Sequence, residues 1–204
     1  MNVLHIDSSI RLENSLSRIL SKKLVEQLQA KKPITIDRLD LAKDVPPHIS
    51  NEYAEAMYNQ ESEQSKETKN VLAYSDGLVQ RLEDTQLYVI GLPMYNFSVP
   101  SNFKSFIDYI VRSGKTFTAD ENGYHGLLKN KKVIIICSSG GEYENKQTSQ
   151  MDFARPYVKM ILGFIGIEDV TFINVQPTLF YGEEAKEKAM KEAEKRINSI
   201  VVNL

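Results

Sequence analysis

The chain has 204 residues, 42% of them hydrophobic and 25% charged, enough for one medium domain with its own apolar core. A formal net charge of −2 supplies no basic field for nucleic acid or an anionic membrane, and the single cysteine, Cys137, excludes an internal disulfide or a multi-cysteine metal site. No run of about 18 apolar residues marks a membrane-spanning helix, and the opening MNVLHIDSSIRLENS lacks a basic leader followed by an apolar segment, so a soluble cytoplasmic protein is expected.

Taken in chain order, short apolar runs alternate with helical stripes. Val3-Leu4-His5-Ile6 reads as a first strand. Leu16, Ile19, Leu20, Leu24 and Leu28 recur at spacings of three and four, one face of a helix that Pro33 ends ahead of a second strand at Ile34-Thr35-Ile36. Residues 40–62 carry Pro46 and Pro47 and little pattern; they predict a long connection with a short helix around residues 54–58, of the length that loops covering a site often have. Val71, Leu72, Leu78, Val79 and Leu82 mark a second long helix, and residues 87–91 (LYVIG) a third strand. Phe103, Phe106, Ile107, Ile110 and Val111 mark a third helix, with Ser98 or Ser101 as its expected N-cap.

In residues 116–126 (TFTADENGYHG), Asn122-Gly123 signals a hairpin. Residues 133–137 (VIIIC) read as a fourth strand, and Tyr157, Ile161, Leu162 and Ile165 as a fourth helix. Residues 170–175 (VTFINV) are a fifth strand, and residues 183–202 a charged final helix with Ala189, Ala193 and Ile197 inward. Continuous apolar strands separated by helices predict a parallel sheet covered on both faces. The expected fold is α/β: a flavodoxin-like three-layer sandwich, five strands in the order 2-1-3-4-5, as a single domain over residues 1–204.

In such sheets ligands bind beyond the carboxyl ends of the strands, near the first and third. Three loops lie there. The first, residues 8–17, has four serines running into a helix N-terminus, where unpaired N–H groups and short hydroxyls favour an anion such as a phosphate; the plain alternative is a helix cap by Asn14 or Ser15. It has neither the Gly-x-x-x-x-Gly-Lys nor the Gly-x-Gly-x-x-Gly pattern. The second, Pro93-Met94-Tyr95-Asn96-Phe97, puts large apolar groups in a turn, either to pack on a flat ring or to staple the loop to its own helix. The third, Ser138-Ser139-Gly140-Gly141, lets backbone approach a ligand closely or is a plain turn. A phosphate pocket, a stacking wall and a glycine-lined polar edge together match the needs of FMN.

With these residues in view, the chain resembles the FMN-dependent NADH:azoreductases, a homodimeric flavodoxin-like family that also reduces quinones. The likeness covers nearly the whole chain, through Ser8-Ser9-Ile10 with Ser15-Leu16-Ser17, PMYNF at 93–97, SGKTF at 113–117, Ser139-Gly140-Gly141 and LGFIGI at 162–167. It implies one FMN per subunit, with its phosphate on Ser9 and Ser15, Leu16 and Ser17. The isoalloxazine would lie against Met94, Tyr95, Asn96 and Phe97, and its pyrimidine edge against Ser138, Ser139, Gly140 and Gly141. Phe164 matches the family position that reaches the active site, that of the partner subunit's flavin; Ala119 and Tyr124 join it in the substrate pocket. Two departures are Ser139, where an arginine is common, and Ala119, where a tyrosine can stand.

The resemblance further implies a ping-pong cycle: NADH reduces the flavin at N5, then a quinone or azo compound takes the electrons, with no catalytic side chain and no metal. Cys137 reads as an inert core thiol and His125 as hairpin surface. Rival readings are a flavodoxin-type electron-transfer protein without NADH-driven turnover, which stronger acidity would favour; a serine hydrolase, for which no Ser-His-Asp set is evident; and a regulatory protein on the same fold.

Overall fold

A computed structural model of the chain describes residues 1–57 and 65–204. Five parallel strands form the central sheet: β1 (Asn2–Asp7), β2 (Thr35–Asp40), β3 (Leu87–Pro93), β6 (Lys132–Ser138) and β7 (Asp169–Val175). Their order is β2-β1-β3-β6-β7, the 2-1-3-4-5 order expected of a flavodoxin-like fold. β3 is central and all seven of its residues are buried, whereas the edge strand β2 buries only Leu39 and exposes Thr35, Asp37 and Arg38. This is the physical reason the inner strands read as unbroken apolar runs.

Helices α1 (Leu16–Lys31) and α6 (Gly182–Asn203) cover one face, packing Leu20, Leu24, Val25 and Leu28 with Ala189, Ala193, Ile197 and Val201 against the sheet. Helices α2 (Asn51–Ala56), α3 (Lys66–Glu83), α4 (Ser101–Ile110) and α5 (Ala154–Phe164) cover the other. Among the described residues no helix is long and apolar enough to cross a membrane. The short helix expected at 54–58 is α2, a turn earlier and capped by Ser50, whose hydroxyl accepts from the Tyr53 N–H; Tyr58 lies outside the described residues, as does part of the 40–62 connection.

Two local expectations change. Neither Ser98 nor Ser101 caps α4. Pro100 holds that position and lends its carbonyl to Lys104, while Asn102 Oδ1 accepts from the Phe103 N–H at 2.8 Å. Asn102 Nδ2 in turn donates to the carbonyls of Ser8 and Leu41, tying α4 to the ends of β1 and β2. On α1, Ile19 is 47% exposed and the buried stripe includes Ser17 and Ser21. The helix is rotated to bring small hydroxyl residues onto the carboxyl end of the sheet, a choice that hydrophobic spacing alone cannot register.

The expected hairpin forms as β4 (Phe117–Asp120) and β5 (Gly123–Gly126), closed by the Asp120–Gly123 pair with Glu121-Asn122 as its two-residue loop. The SGKTF segment leading into it turns about the buried Thr116, whose Oγ1 accepts from the Arg112 N–H and donates to the Ile110 carbonyl. The hairpin sits on the end of α5. A Cβ added at Gly126 would lie 2.1 Å from the Gly166 nitrogen and 2.3 Å from the Ile165 carbonyl carbon, backbone that cannot yield. Gly126→Ala is therefore expected to cost roughly 1–3 kcal/mol, the range for forced overpacking, measured by chemical denaturation; an unchanged midpoint would show that the hairpin is not held there.

Candidate active site

A cleft of about 690 Å3 opens at the carboxyl ends of the strands, bounded by the segments that follow β1, β3, β6 and β7. It brings together Ser9, Ser15 and Leu16 from the first segment, Met94 and Tyr95 from the second, and Ser138, Ser139 and Gly140 from the third. The fourth segment was missed in the sequence. It supplies Thr178, Leu179, Glu183 and Lys186, and the rule that singled out the other three loops, proximity to a strand's carboxyl end, applies to it equally.

The first segment is shaped for an anion. Ser15 is the N-cap of α1, yet its hydroxyl makes no cap hydrogen bond and lies 3.2 Å from Ser17 Oγ. The first paired N–H is that of Ile19, on the Ser15 carbonyl, so the N–H groups of Leu16, Ser17 and Arg18 have no partner within the helix. Ser17 is fully buried behind Ser15 and does not line the cleft. Ser9 Oγ accepts from the Arg11 N–H at 3.2 Å and lies 3.2 Å from Tyr95 Oη, which joins the first loop to the second. Ser8 faces inward, its N–H and hydroxyl both donating to the Gly91 carbonyl.

The second segment continues the sheet for one residue, with the Met94 N–H donating to the Ser138 carbonyl at 2.8 Å. It then reverses. Tyr95 and Ser98 exchange both backbone hydrogen bonds, and the two residues between them, Asn96 and Phe97, are left-handed at φ 48° and 68°. Asparagine tolerates that conformation; phenylalanine does so at a cost of about 1–3 kcal/mol. Phe97 stays 42% exposed and meets Tyr143 edge-on, with ring centroids 6.2 Å apart. Neither Asn96 nor Phe97 lines the cleft, and the Phe103 ring pairs with Phe106, so the staple alternative is not what the rings show. Asn96 lines a neighbouring depression of about 580 Å3 with Tyr95, Lys104 and Tyr157.

In the third segment the Ser139 hydroxyl lies within donating distance of the Gly141 carbonyl and Gln176 Oε1. The Gly140 carbonyl accepts from the N–H groups of Leu179 and Phe180, binding this loop to the one after β7. Gly141 packs under Tyr143 and does not line the cleft.

Phe164, Tyr124 and Ala119 do lie together, but elsewhere. Phe164 meets Phe117 at 4.6 Å and Tyr124 at 5.3 Å, and Ala119 pairs with Tyr124 across the hairpin. Phe164 ends α5 just before β7 starts at Asp169, which pairs with Lys132 at the amino end of β6. The group thus sits at the opposite end of the sheet from the cleft, with Tyr124 69% exposed. His125 is on the hairpin surface, 3.0 Å from Asp120 Oδ1. Cys137 is buried, and burial pushes its thiol up to about 12, the inert condition expected of it.

The sequence matches a family described as having a flavodoxin-like fold over residues 1–201. It is 40% identical over 205 residues to the FMN-dependent NADH:quinone oxidoreductase of Nostoc sp. (strain PCC 7120 / SAG 25.82 / UTEX 2576), covering 99% of each chain. The chain belongs to the FMN-dependent NADH:quinone oxidoreductase family. A member from Colwellia psychrerythraea is 45% identical over 174 residues, 85% of this chain and 88% of that one. Among solved structures, an FMN-dependent NADH-azoreductase from Bacillus anthracis in complex with FMN superposes with a TM-score of 0.85 at 28% identity, over 98% of this chain and 99% of that one. A second azoreductase from that organism, at 21% identity and a TM-score of 0.91 over both whole chains, shows likeness of fold.

Beneath the first segment this family member carries a buried polar network. His5 Nε2 lies 2.9 Å from Ser21 Oγ, which donates to Asp7 Oδ1 at 3.0 Å. The structure thus contains a Ser-His-Asp set that the sequence hid, because its members lie on β1 and α1. It is not arranged for hydrolysis. Ser21 is fully buried, its hydroxyl held among His5 Nε2, Asp7 Oδ1 and the Arg18 carbonyl, and it does not line the cleft, so it is not presented to a substrate as a nucleophile.

Burial dominates both titrations, ahead of the neighbouring charges. It pushes His5 down to about 4 and Asp7 up to about 6, so the 3.5 Å His5–Asp7 contact is not an ion pair near neutral pH. His5 contributes stability that is present above its unfolded value of 6.5 and lost as pH falls toward 4. Asp7 contributes stability present below its unfolded 3.8 and lost as pH rises through 6. The two slopes oppose each other between these limits. His5→Gln should leave a protein whose stability falls from pH 4 to 6, and Asp7→Asn one whose stability rises, each by on the order of 2 kcal/mol in urea melts of the flavin-free protein. Parallel profiles in the two variants would contradict the assignment.

Proposed function

We propose that the protein is an FMN-dependent NADH oxidoreductase that reduces quinones and cleaves aromatic azo compounds by a ping-pong, two-electron mechanism. The observation that carries this reading is the convergence, in one cleft, of an anion-ready helix terminus, the Met94-Tyr95 wall and the Ser139-Gly140 edge, in a chain 40% identical to enzymes of that name. Residues 1–204 act as one FMN-binding domain.

The donor set fits the group. Neutral hydroxyls of Ser9 and Ser15 and the first N–H groups of α1 suit a phosphate, with Arg11 and Lys186 also on the cleft wall. Met94 and Tyr95 give a pliable and a flat surface for the isoalloxazine, and the Asn96-Phe97 turn holds them in place. The Gly140 carbonyl is occupied by the β7–α6 segment, which leaves its N–H as the donor for the pyrimidine edge, with Ser138 beside it. Bound here, FMN supplies the hydride chemistry, receiving from NADH and passing electron pairs to the acceptor. The side chains of the cleft bind, orient and exclude water; none is required as acid, base or nucleophile.

The active form is a homodimer. Phe153 and Met160 on the α5 face are 62% and 56% exposed, and Tyr124 stands beside Phe164 at the end of that helix. A second copy covering this face delivers Phe164, Tyr124 and Ala119 to the partner's ring, where Ala119 leaves more room than a tyrosine.

The purified protein should be yellow, with one FMN per chain and a two-chain mass by light scattering. NADH and benzoquinone should give parallel double-reciprocal lines; intersecting lines would remove the ping-pong mechanism, and absence of NADH turnover would favour a simple electron carrier. Ser15→Asp separates phosphate binding from folding, because aspartate is a good N-cap yet repels an anion. It should weaken FMN at least about tenfold while leaving the melting temperature of the flavin-free protein unchanged or higher. Undiminished FMN affinity would move the phosphate away from α1.

A further inference from the structure

A guanidinium in the first turn of α1 is the obvious phosphate ligand, and Arg18 occupies that position. Its donors are turned away from the cleft. Nε and Nη2 donate to the Ser9 carbonyl at 3.1 and 2.6 Å, and Nη1 and Nη2 grip Asp40 at 2.8 and 2.6 Å. Nη1 also lies 3.7 Å from Asp7 Oδ2, and the Arg18 side chain is only 12% exposed. The side chain therefore links the ends of β1 and β2 to the very residue whose hydroxyl faces Tyr95 and the Arg11 N–H.

We propose that Arg18 and Asp40 are positioning residues for the anion loop, holding Ser9 from behind, and that Asp7 gates how much of the Arg18 charge is felt by the bound anion. This rests on placing the FMN phosphate at that loop. Asp7, 17% exposed, is faced by His5 of its own strand, by Ser21 and Arg18 from α1, and by Asp40 and Arg38 from β2. From β3 Gly91 faces it, where an added Cβ would stand 2.6 Å from Asp7 Oδ1. With Asp40 held ionised by Arg18 and His5 held neutral by burial, Asp7 is the member of this set that changes charge near pH 6. Ionised, it joins Asp40 in offsetting Arg18 and opposes an anion on the loop; protonated, it does neither. The affinity contributed by the network accordingly falls as pH rises through this titration.

The test titrates flavin-free native protein, Arg18→Met, Arg18→Lys and Asp7→Asn with FMN and with riboflavin, following flavin fluorescence at pH 5 and pH 8. Native protein should prefer FMN strongly. Arg18→Met should lose that preference by at least about tenfold while riboflavin affinity changes little. Arg18→Lys should recover only part of it, since an ammonium cannot hold the Ser9 carbonyl and both Asp40 oxygens in one plane. Asp7→Asn should match native protein at pH 5 and bind FMN several-fold more tightly at pH 8; the phosphate's own ionisation is common to both proteins and cancels in their ratio. An Arg18→Met protein that keeps the FMN preference overturns the positioning role, and an Asp7→Asn ratio that is the same at both pH values overturns the gate. Should Arg18→Met fail to fold, Arg18→Lys decides the positioning role, an undiminished FMN preference there overturning it, while the Asp7→Asn ratio decides the gate. Native protein that binds riboflavin as well as FMN would instead discard the phosphate assignment on which the proposal rests.

Discussion

The site depends on the close approach of α1 to the carboxyl end of the sheet, and that approach depends on Gly91. A side chain there would collide with Asp7 Oδ1, Ser21 Oγ and the Ser17 carbonyl, all within 3.2 Å of an added Cβ. Because the position is empty, the serine-bearing first turns of α1 can lie directly over β3, and the Gly91 carbonyl can take both donors of Ser8. Glycine in a strand interior weakens the strand; here the burial of all seven β3 residues offsets that loss and the gain is a helix terminus placed beside the loop after β3.

That placement divides polar work between two layers. Groups on the cleft side, Ser9, Ser15 and the unpaired N–H groups, are left available for a ligand. Groups beneath them, Arg18, Asp40, Asp7, Ser21 and His5, satisfy one another through charge-assisted and neutral hydrogen bonds. A buried network is stabilising only when its members are matched; here burial keeps His5 neutral, Arg18 and Asp40 pair their charges, and Asp7, pushed up to about 6, is the member left to change charge. The loop after β3 is managed differently. Phe97 accepts a left-handed backbone so that a two-residue reversal can follow Met94 and Tyr95, and conformational strain is stored next to the site rather than in the core.

Strand order, the helices on both faces and the location of the cleft follow from the spacing of apolar residues, because burial imposes a periodicity of its own on strands and helices. The convergence of Ser9, Ser15, Leu16, Met94, Tyr95, Ser138, Ser139 and Gly140 on one cleft was legible because loops at the carboxyl ends of strands must converge in this topology. Ser17, Asn96, Phe97 and Gly141 carry the right residue types but stand behind the cleft wall or beside it, since whether a loop side chain faces a cavity depends on backbone reversal that composition does not encode. The β7–α6 segment escaped notice because nothing in its residues resembles a binding motif.

By itself the sequence determined the fold, the family and the three loops that meet, since apolar periodicity and local turn chemistry are properties of neighbours along the chain. Only the tertiary structure decided which hydroxyls face the cleft, that the Arg18 guanidinium holds the Ser9 carbonyl and Asp40, and that Phe164 lies at the far end of the sheet. Those outcomes hinge on contacts between residues distant in sequence, such as Asp7 with Ser21 and Arg18 with Asp40, whose charges and hydrogen bonds acquire direction only once the elements are packed.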